Sequence, residues 1–196
     1  MSKVIWKPGT LLAPLPAVFV GCGDMEKPNI ITVAWTGIVN SDPAMTYVSI
    51  RPSRHSHKLI EESGEFTINL ASCSMAKKLD ECGVYTGAKV DKFKKFNLTP
   101  IKSVNLNAPI IDEAPLSLEC KVTQKLSLGS HDMFLAQIVS VDVEDSLINE
   151  KGKLCLEKAN LLTYSHGDYL ALGKKIGSFG YSVRKRNHKG KNGGKK

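Results

Sequence analysis

Two stretches of apolar alternation, set on either side of a short glycine-containing link, constrain the fold of this chain more than any other feature. Leu116, Leu118, Cys120 and Val122 repeat at every second position. Met133, Leu135, Val139, Val141 and Val143 do the same, with Gln137 the exception on that face. A period of two marks strands with one face on a core. Between the runs lies Leu128-Gly129-Ser130-His131, which predicts a β-hairpin. Residues 17–20, 30–39 and 45–50 are further strand-like runs. Turn chemistry at 24–29 and at Asn40-Ser41-Asp42-Pro43 separates them.

Helical signals are fewer. Met75, Leu79 and Cys82 recur at helical spacing, with Ser74 placed to cap the start and Gly83 to end it. Residues 57–63 predict a second helix, with Leu59 and Ile60 facing inward and Gly64 as the stop. Residues 170–176 predict a third, short one. Many antiparallel strands with a few peripheral helices predict a mainly β fold, closer to a barrel than to a βαβ sheet. A length of 196 residues suits one domain, expected over 1–182.

The formal charge of +8 is local. Seven of the 27 Lys and Arg fall from Arg184 onward with no acid among them, leaving 20 basic residues against 19 acidic ones. Residues 183–196 therefore read as a basic tail, too polar to bury and expected to be disordered, with nucleic acid an unlikely partner. Residues 11–22 invite a reading as a signal peptide, but Pro14 and Pro16 interrupt the would-be helix. Five cysteines without a C-x-x-C pair favour reduced thiols and a cytoplasmic location, and no apolar run is long enough to span a membrane. A dinucleotide fingerprint fails at Glu26, a P-loop fails at Lys175, zinc ligands lack a second pair, and no nucleophile elbow occurs.

What remains is an anion-binding candidate. Ser49-Ile50-Arg51-Pro52-Ser53-Arg54-His55-Ser56-His57 joins a strand to a helix start and combines guanidinium groups, hydroxyls and free backbone donors, which suit a phosphate. A capped, solvated turn would use the same residues.

This loop is one of five motifs that occur in order. Asn29, Thr32, Ala34, Trp35, Thr36 and Gly37 precede it, and Glu65, Phe66 and Asn69 follow. Then come Gly87, Lys89, Asp91, Lys92 and Phe93, and finally Gly129 and His131 before a long strand. Together they resemble the flavin reductase-like family, in a pattern similar to flavoredoxins, over roughly residues 10–182.

The resemblance implies a split β-barrel of antiparallel strands that binds FMN non-covalently, normally at a homodimer interface. It implies that Thr32, Ala34, Trp35 and Thr36 run beside the ring. Arg51, Arg54, Ser56 and His57 would take the phosphate, Ser49 would also contact the cofactor, and Asn69, Ala71, Ser72 and Cys73 would approach the ring from the next strand. Lys89 or Lys92 would supply a basic contact, and His131 would be the catalytic-site histidine on the nicotinamide side. The bound flavin would carry the redox chemistry, so no protein nucleophile is required. Two activities fit: an NAD(P)H-dependent flavin or ferric reductase, or an electron carrier reduced by a protein partner. A module that binds nucleic acid through its tail is a third reading.

Overall fold

The computed structural model describes residues 1–184, so all but the first two residues of the basic tail lie outside the described residues. A short β1 (Leu15–Pro16) leads into β2 (Val18–Cys22), β3 (Asn29–Val33), β4 (Thr36–Ser41) and β5 (Ala44–Ile50). Helix α1 (His55–Ser63) precedes β6 (Glu65–Leu70), and α2 (Ala76–Val84) and α3 (Lys92–Phe96) follow. The remaining strands are β7 (Pro100–Ile101), β8 (Ile110–Ile111), β9 (Leu116–Ser127), β10 (Asp132–Val143), β11 (Leu162–Ser165) and β12 (Asp168–Ala171).

Seven strands form one antiparallel sheet in the order β3-β2-β6-β9-β10-β5-β4. Its two edge strands, β3 and β4, are separated in sequence only by Ala34 and Trp35. Two residues span at most about 7 Å, so the sheet must curl until its edges approach. It forms a barrel split along one seam, as the sequence resemblance implies. A three-stranded sheet, β1-β11-β12, flanks this body.

Central β2 is buried along its whole length because apolar groups lie on both of its faces. Val18 and Val20 pack with Phe66, Phe134 and Ile60 of α1, while Phe19 packs with Leu79 of α2, Phe93 and Phe96 of α3, and Leu162.

Several expectations hold. The hairpin joins β9 to β10, with Gly129 at φ 95°. On β9, Leu116 and Cys120 are buried, while Leu118 and Val122 pack against the core. Gly64 closes α1 in the left-handed conformation that glycine adopts without strain, donating its N–H to Ile60 O.

Others need correction. On β10 the buried positions are Asp132, Phe134 and Ala136, with Ile138 packed against the core, so the predicted odd-numbered face is the outer one there. Register shifts between Leu135 and Ala136, and between Ile138 and Ser140, break the simple alternation. Gly83 lies inside α2 rather than ending it; a Cβ there would stand 3.3 Å from Thr32 Cβ, so the glycine permits close approach to β3. Ser74 does not cap α2: its hydroxyl bonds to Ser72 instead, in a 3-10 turn ahead of the helix. Residues 168–171 form β12, turned back onto β11 through His166 and Gly167 at positive φ, where a helix was expected. Helix α3 was missed, although Asp91 caps it by accepting from Lys94 N at 3.0 Å.

Candidate functional site

A groove follows the seam. At one end a cleft of about 320 Å³ is lined by residues 31–35 between β3 and β4, and by Ser49, Ile50 and Arg51 at the end of β5. Asp80, Gly83 and Val84 of α2, Tyr164 and Tyr169 of the small sheet, and His131 complete the wall. Topology explains the convergence. The β5–β10 register pairs Ile50 with Asp132, which sets the hairpin residue His131 beside Arg51. The backbone of Ser49 donates to Trp35 O at 2.9 Å, tying β5 across to the seam. The rings of Trp35 and His131 lie 4.5 Å apart at a 35° tilt, forming an aromatic shelf. On the α2 wall the Thr32 hydroxyl donates to Leu79 O, and Tyr169 donates to Asp80 Oδ1 at 3.3 Å.

Past Arg51 and Arg54 the groove continues into a second cleft of about 210 Å³. Ser53, Arg54, His55 and Ser56 at the α1 N-terminus form one side, Tyr85, Thr86 and Gly87 another, and Lys92 contributes from α3. Among the described residues no carboxylate lines this cleft. Ser56 Oγ accepts from Asn29 Nδ2 at 2.8 Å, which fixes the hydroxyl. A Cβ at Gly87 would overlap the Asn29 side chain, so glycine lets this loop close onto the cleft. Lys92 Nζ donates to Ile30 O and Cys82 O, each at 2.7 Å.

Nine of the sixteen candidate residues thus meet on the groove: Thr32, Ala34, Trp35, Ser49, Arg51, Arg54, Ser56, Lys92 and His131. The other seven do not line it. Thr36 is buried and donates to Tyr47 O at 2.5 Å. His57 is buried behind the loop, its Nε2 at 2.8 Å from Asp132 Oδ2. Asn69 is fully buried and occupied structurally: it donates to Thr67 Oγ1 and accepts from Ile111 N and Ser117 Oγ. Ala71 and Cys73 hold the segment at 160–162 through backbone bonds, Ser72 bonds to Ser74, and Lys89 is exposed. The sequence did not assign Asp80, Gly83 and Val84 of α2, nor Thr86 and Tyr169, to the site; the helix was legible from its spacing, but which of its residues face the groove depends on packing against β3.

Electrostatics divide the groove. Burial, with Arg51 adding to it, pushes the His131 imidazole below its usual range and favours the neutral ring. Burial also pushes the Lys92 ammonium down and the Cys22 thiol up.

A split barrel whose seam carries an aromatic shelf at one end and a cationic, hydroxyl-lined cleft at the other suits a phosphorylated planar ligand. The model of the flavin reductase like domain matches residues 11–173, and the chain belongs to this family of flavin-linked redox proteins. Flavoredoxin of Desulfovibrio vulgaris (Miyazaki F) superposes with a TM-score of 0.86 at 29% identity, over 93% of this chain and 100% of that one. Flavoredoxin from Methanosarcina acetivorans does so with a TM-score of 0.83 at 27% identity and the same coverage. An uncharacterized protein of Archaeoglobus fulgidus is 33% identical over 140 residues, covering 71% of this chain and 78% of that protein.

Proposed function

We propose that the seam groove binds FMN non-covalently and that the protein is an NAD(P)H-dependent flavin or ferric reductase. The observation that carries this reading is the continuity of the two clefts through Arg51 and Arg54, which joins a ring-sized aromatic site to a phosphate-sized cationic one. The donor set fits the cofactor. Arg54, Ser53, Ser56 and the free N–H groups at the start of α1 would hold the phosphate, and the Gly87 cradle would close over it. Trp35, Ala34 and Thr32 would flank the ring.

When bound, the flavin supplies two-electron exchange with a nicotinamide and onward transfer to an acceptor. The chain's own part is to orient the partners. His131, neutral and stacked on Trp35, presents an uncharged edge at the mouth of the ring cleft, while Asp80 and Tyr169 define its far wall. We further propose a homodimer. Ile38, Val141, Leu12 and Phe179 expose large apolar surface that a second copy would cover. The five free cysteines are compatible with a cytoplasmic location, and among the described residues no helix is long and apolar enough to cross a membrane.

The likeness to flavoredoxins at 27–29% identity favours a second reading, an electron carrier reduced by a protein partner. One experiment separates the two. The visible spectrum of protein purified without added flavin is recorded, then NADH or NADPH is added anaerobically. Flavin bands near ~370 and ~450 nm that bleach with either nucleotide support the reductase. Bands that persist with both support the carrier, and a colourless protein that takes up no FMN overturns both.

A further inference from the structure

Two ionisable side chains are buried behind the groove, and the reading above gives them no part. His57, in the first turn of α1, is 5% exposed, and Asp132, the first residue of β10, is 6% exposed. His57 Nε2 lies 2.8 Å from Asp132 Oδ2. That bond, above other causes, holds the Asp132 carboxyl below the usual range, so the carboxylate accepts and the ring N–H donates. The His57 ring also stands edge-on to Phe134, with centroids 5.0 Å apart. Lys125 of β9 pairs with Glu61 of α1 and lies 3.8 Å from Asp132 Oδ2, and Glu61 Oε2 lies 3.8 Å from His57 Nδ1. These four side chains tie α1 to both strands of the β9–β10 hairpin.

The hairpin needs such a tie. Strand β9 pairs with β6 only as far as Lys121, and from Val122 onward its strand pairing is with β10 alone. Leu128, Gly129 and Ser130 at the tip are exposed, and Asp132 is the buried residue nearest to them. His131 precedes it and lines the ring cleft, on the side opposite to the Asp132 carboxylate, as neighbouring residues of an extended chain alternate. Among the described residues the His131 ring bonds to no other element: its Nδ1 meets the adjacent Ser130 Oγ at 2.9 Å. Its place against Trp35 therefore depends on how its backbone is held. β5 holds that backbone through the Ile50–Asp132 register, and the His57 bond holds it from α1. The start of α1 has ties of its own, from Asn29 to Ser56 Oγ at 2.8 Å and from Arg54 N to Arg51 O at 2.9 Å. Loss of the pair would release the hairpin and leave the anion-side loop in place.

We propose that His57 and Asp132 are positioning residues that act through His131, setting how a second substrate, a reduced nicotinamide, docks at the open end of the ring cleft. This deepens the reductase reading above and rests on it. His131 stands at the mouth of the cleft, so its displacement falls on docking of the nucleotide, and the flavin stays bound.

The test uses Asp132→Asn and His57→Gln in the full chain, with folding checked by thermal melts. Both are expected to keep FMN affinity within about twofold while raising KM for NADH or NADPH roughly tenfold, with kcat within about threefold. His131→Ala should raise KM likewise, and Asp132→Asn added to it should change KM by less than about twofold, because both act on one contact. NMR of the histidine ring protons reads that contact without any substrate, since the Trp35 indole 4.5 Å away displaces the His131 signal. The two variants should return the signal toward that of an exposed histidine. An unchanged KM, an Asp132→Asn effect that persists in full without His131, or an unmoved His131 signal in a folded variant each overturns the proposal. If neither variant folds, Lys125→Met at the exposed edge of the cluster must still move the His131 signal, and an unmoved signal overturns it. A His131 signal that moves in a protein whose flavin neither nucleotide reduces leaves the tie standing and removes the reductase reading alone.

Discussion

At the scale of single residues, burial separates side chains that serve the groove from side chains that build it. Trp35 is 37% exposed and rests on His131, so it contributes little to the core. Trp35→Ala is expected to weaken flavin binding roughly tenfold and to perturb the visible spectrum, with a small change in melting temperature. A flavin titration beside a thermal melt checks both. His57 and Asp132 behave oppositely. The bond from His57 holds the Asp132 carboxyl below the usual range. A depressed carboxyl stabilises the fold above its unfolded pKa of about 3.9, and that contribution is lost as pH falls through the folded value. Asp132→Ala is expected to cost about 1–3 kcal/mol at neutral pH and to flatten the acid limb of stability, as read by urea melts across pH. The sequence offered His57 and Asn69 as cofactor-side residues. It could not say that both side chains turn inward to partners 75 and 48 positions away, Asp132 and Ser117, because such pairs exist only after folding.

At the scale of elements, the groove depends on how closely α2 lies against β3. Gly83 sets that distance, with Thr32 Cβ 3.3 Å from where its own Cβ would stand. Gly83→Val is expected to cost about 1–3 kcal/mol and to lower flavin affinity, because the branched side chain must push the helix wall outward. Calorimetric melting and a flavin titration are the measurements. Elsewhere, β9 carries a fully buried Glu119 whose carboxylate accepts from Val104 N at 2.6 Å and Asn105 N at 2.7 Å, fixing the loop before β8. On the neighbouring β10, Asp142 Oδ2 is buried without a hydrogen-bond partner among the described residues. Burial, then the Glu119 charge, pushes this carboxyl up. A raised carboxyl contributes stability that is fully present below its unfolded pKa and lost as pH rises through the folded one. Asp142→Asn is therefore expected to be more resistant to urea than wild type above that folded value, with the difference vanishing in acid. The runs on β2, β5, β9 and β10 were legible because apolar and β-branched enrichment is local, with alternation added on β9; the inward face of β10 was not. The helix at α3 and the β11–β12 hairpin were not, because a five-residue helix and a four-residue strand are too short to show a period.

At the scale of the whole molecule, the large apolar side chains left exposed at Leu12, Ile38, Val141 and Phe179 are the ground for expecting a dimer. Sedimentation of the flavin-loaded protein is expected to give twice the chain mass, and a monomer with flavin fully bound would remove this expectation. The sequence by itself determined the class of fold, through period-two runs and turn chemistry, and the ordered motifs that resemble the family. It determined as well which loop holds cationic and hydroxyl groups, since residues 49–57 are contiguous in the chain. Only the tertiary structure decided which of those groups face the groove. A strand places successive side chains on opposite faces, and the register and bulges that assign each face are fixed by pairing with distant strands. Curling of the seven-stranded sheet brought β3, the end of β5, α2 and His131 around one cleft, and docking of α3 set a buried ammonium beneath its continuation. Those juxtapositions arise from packing between segments far apart in the chain, where no local pattern records them.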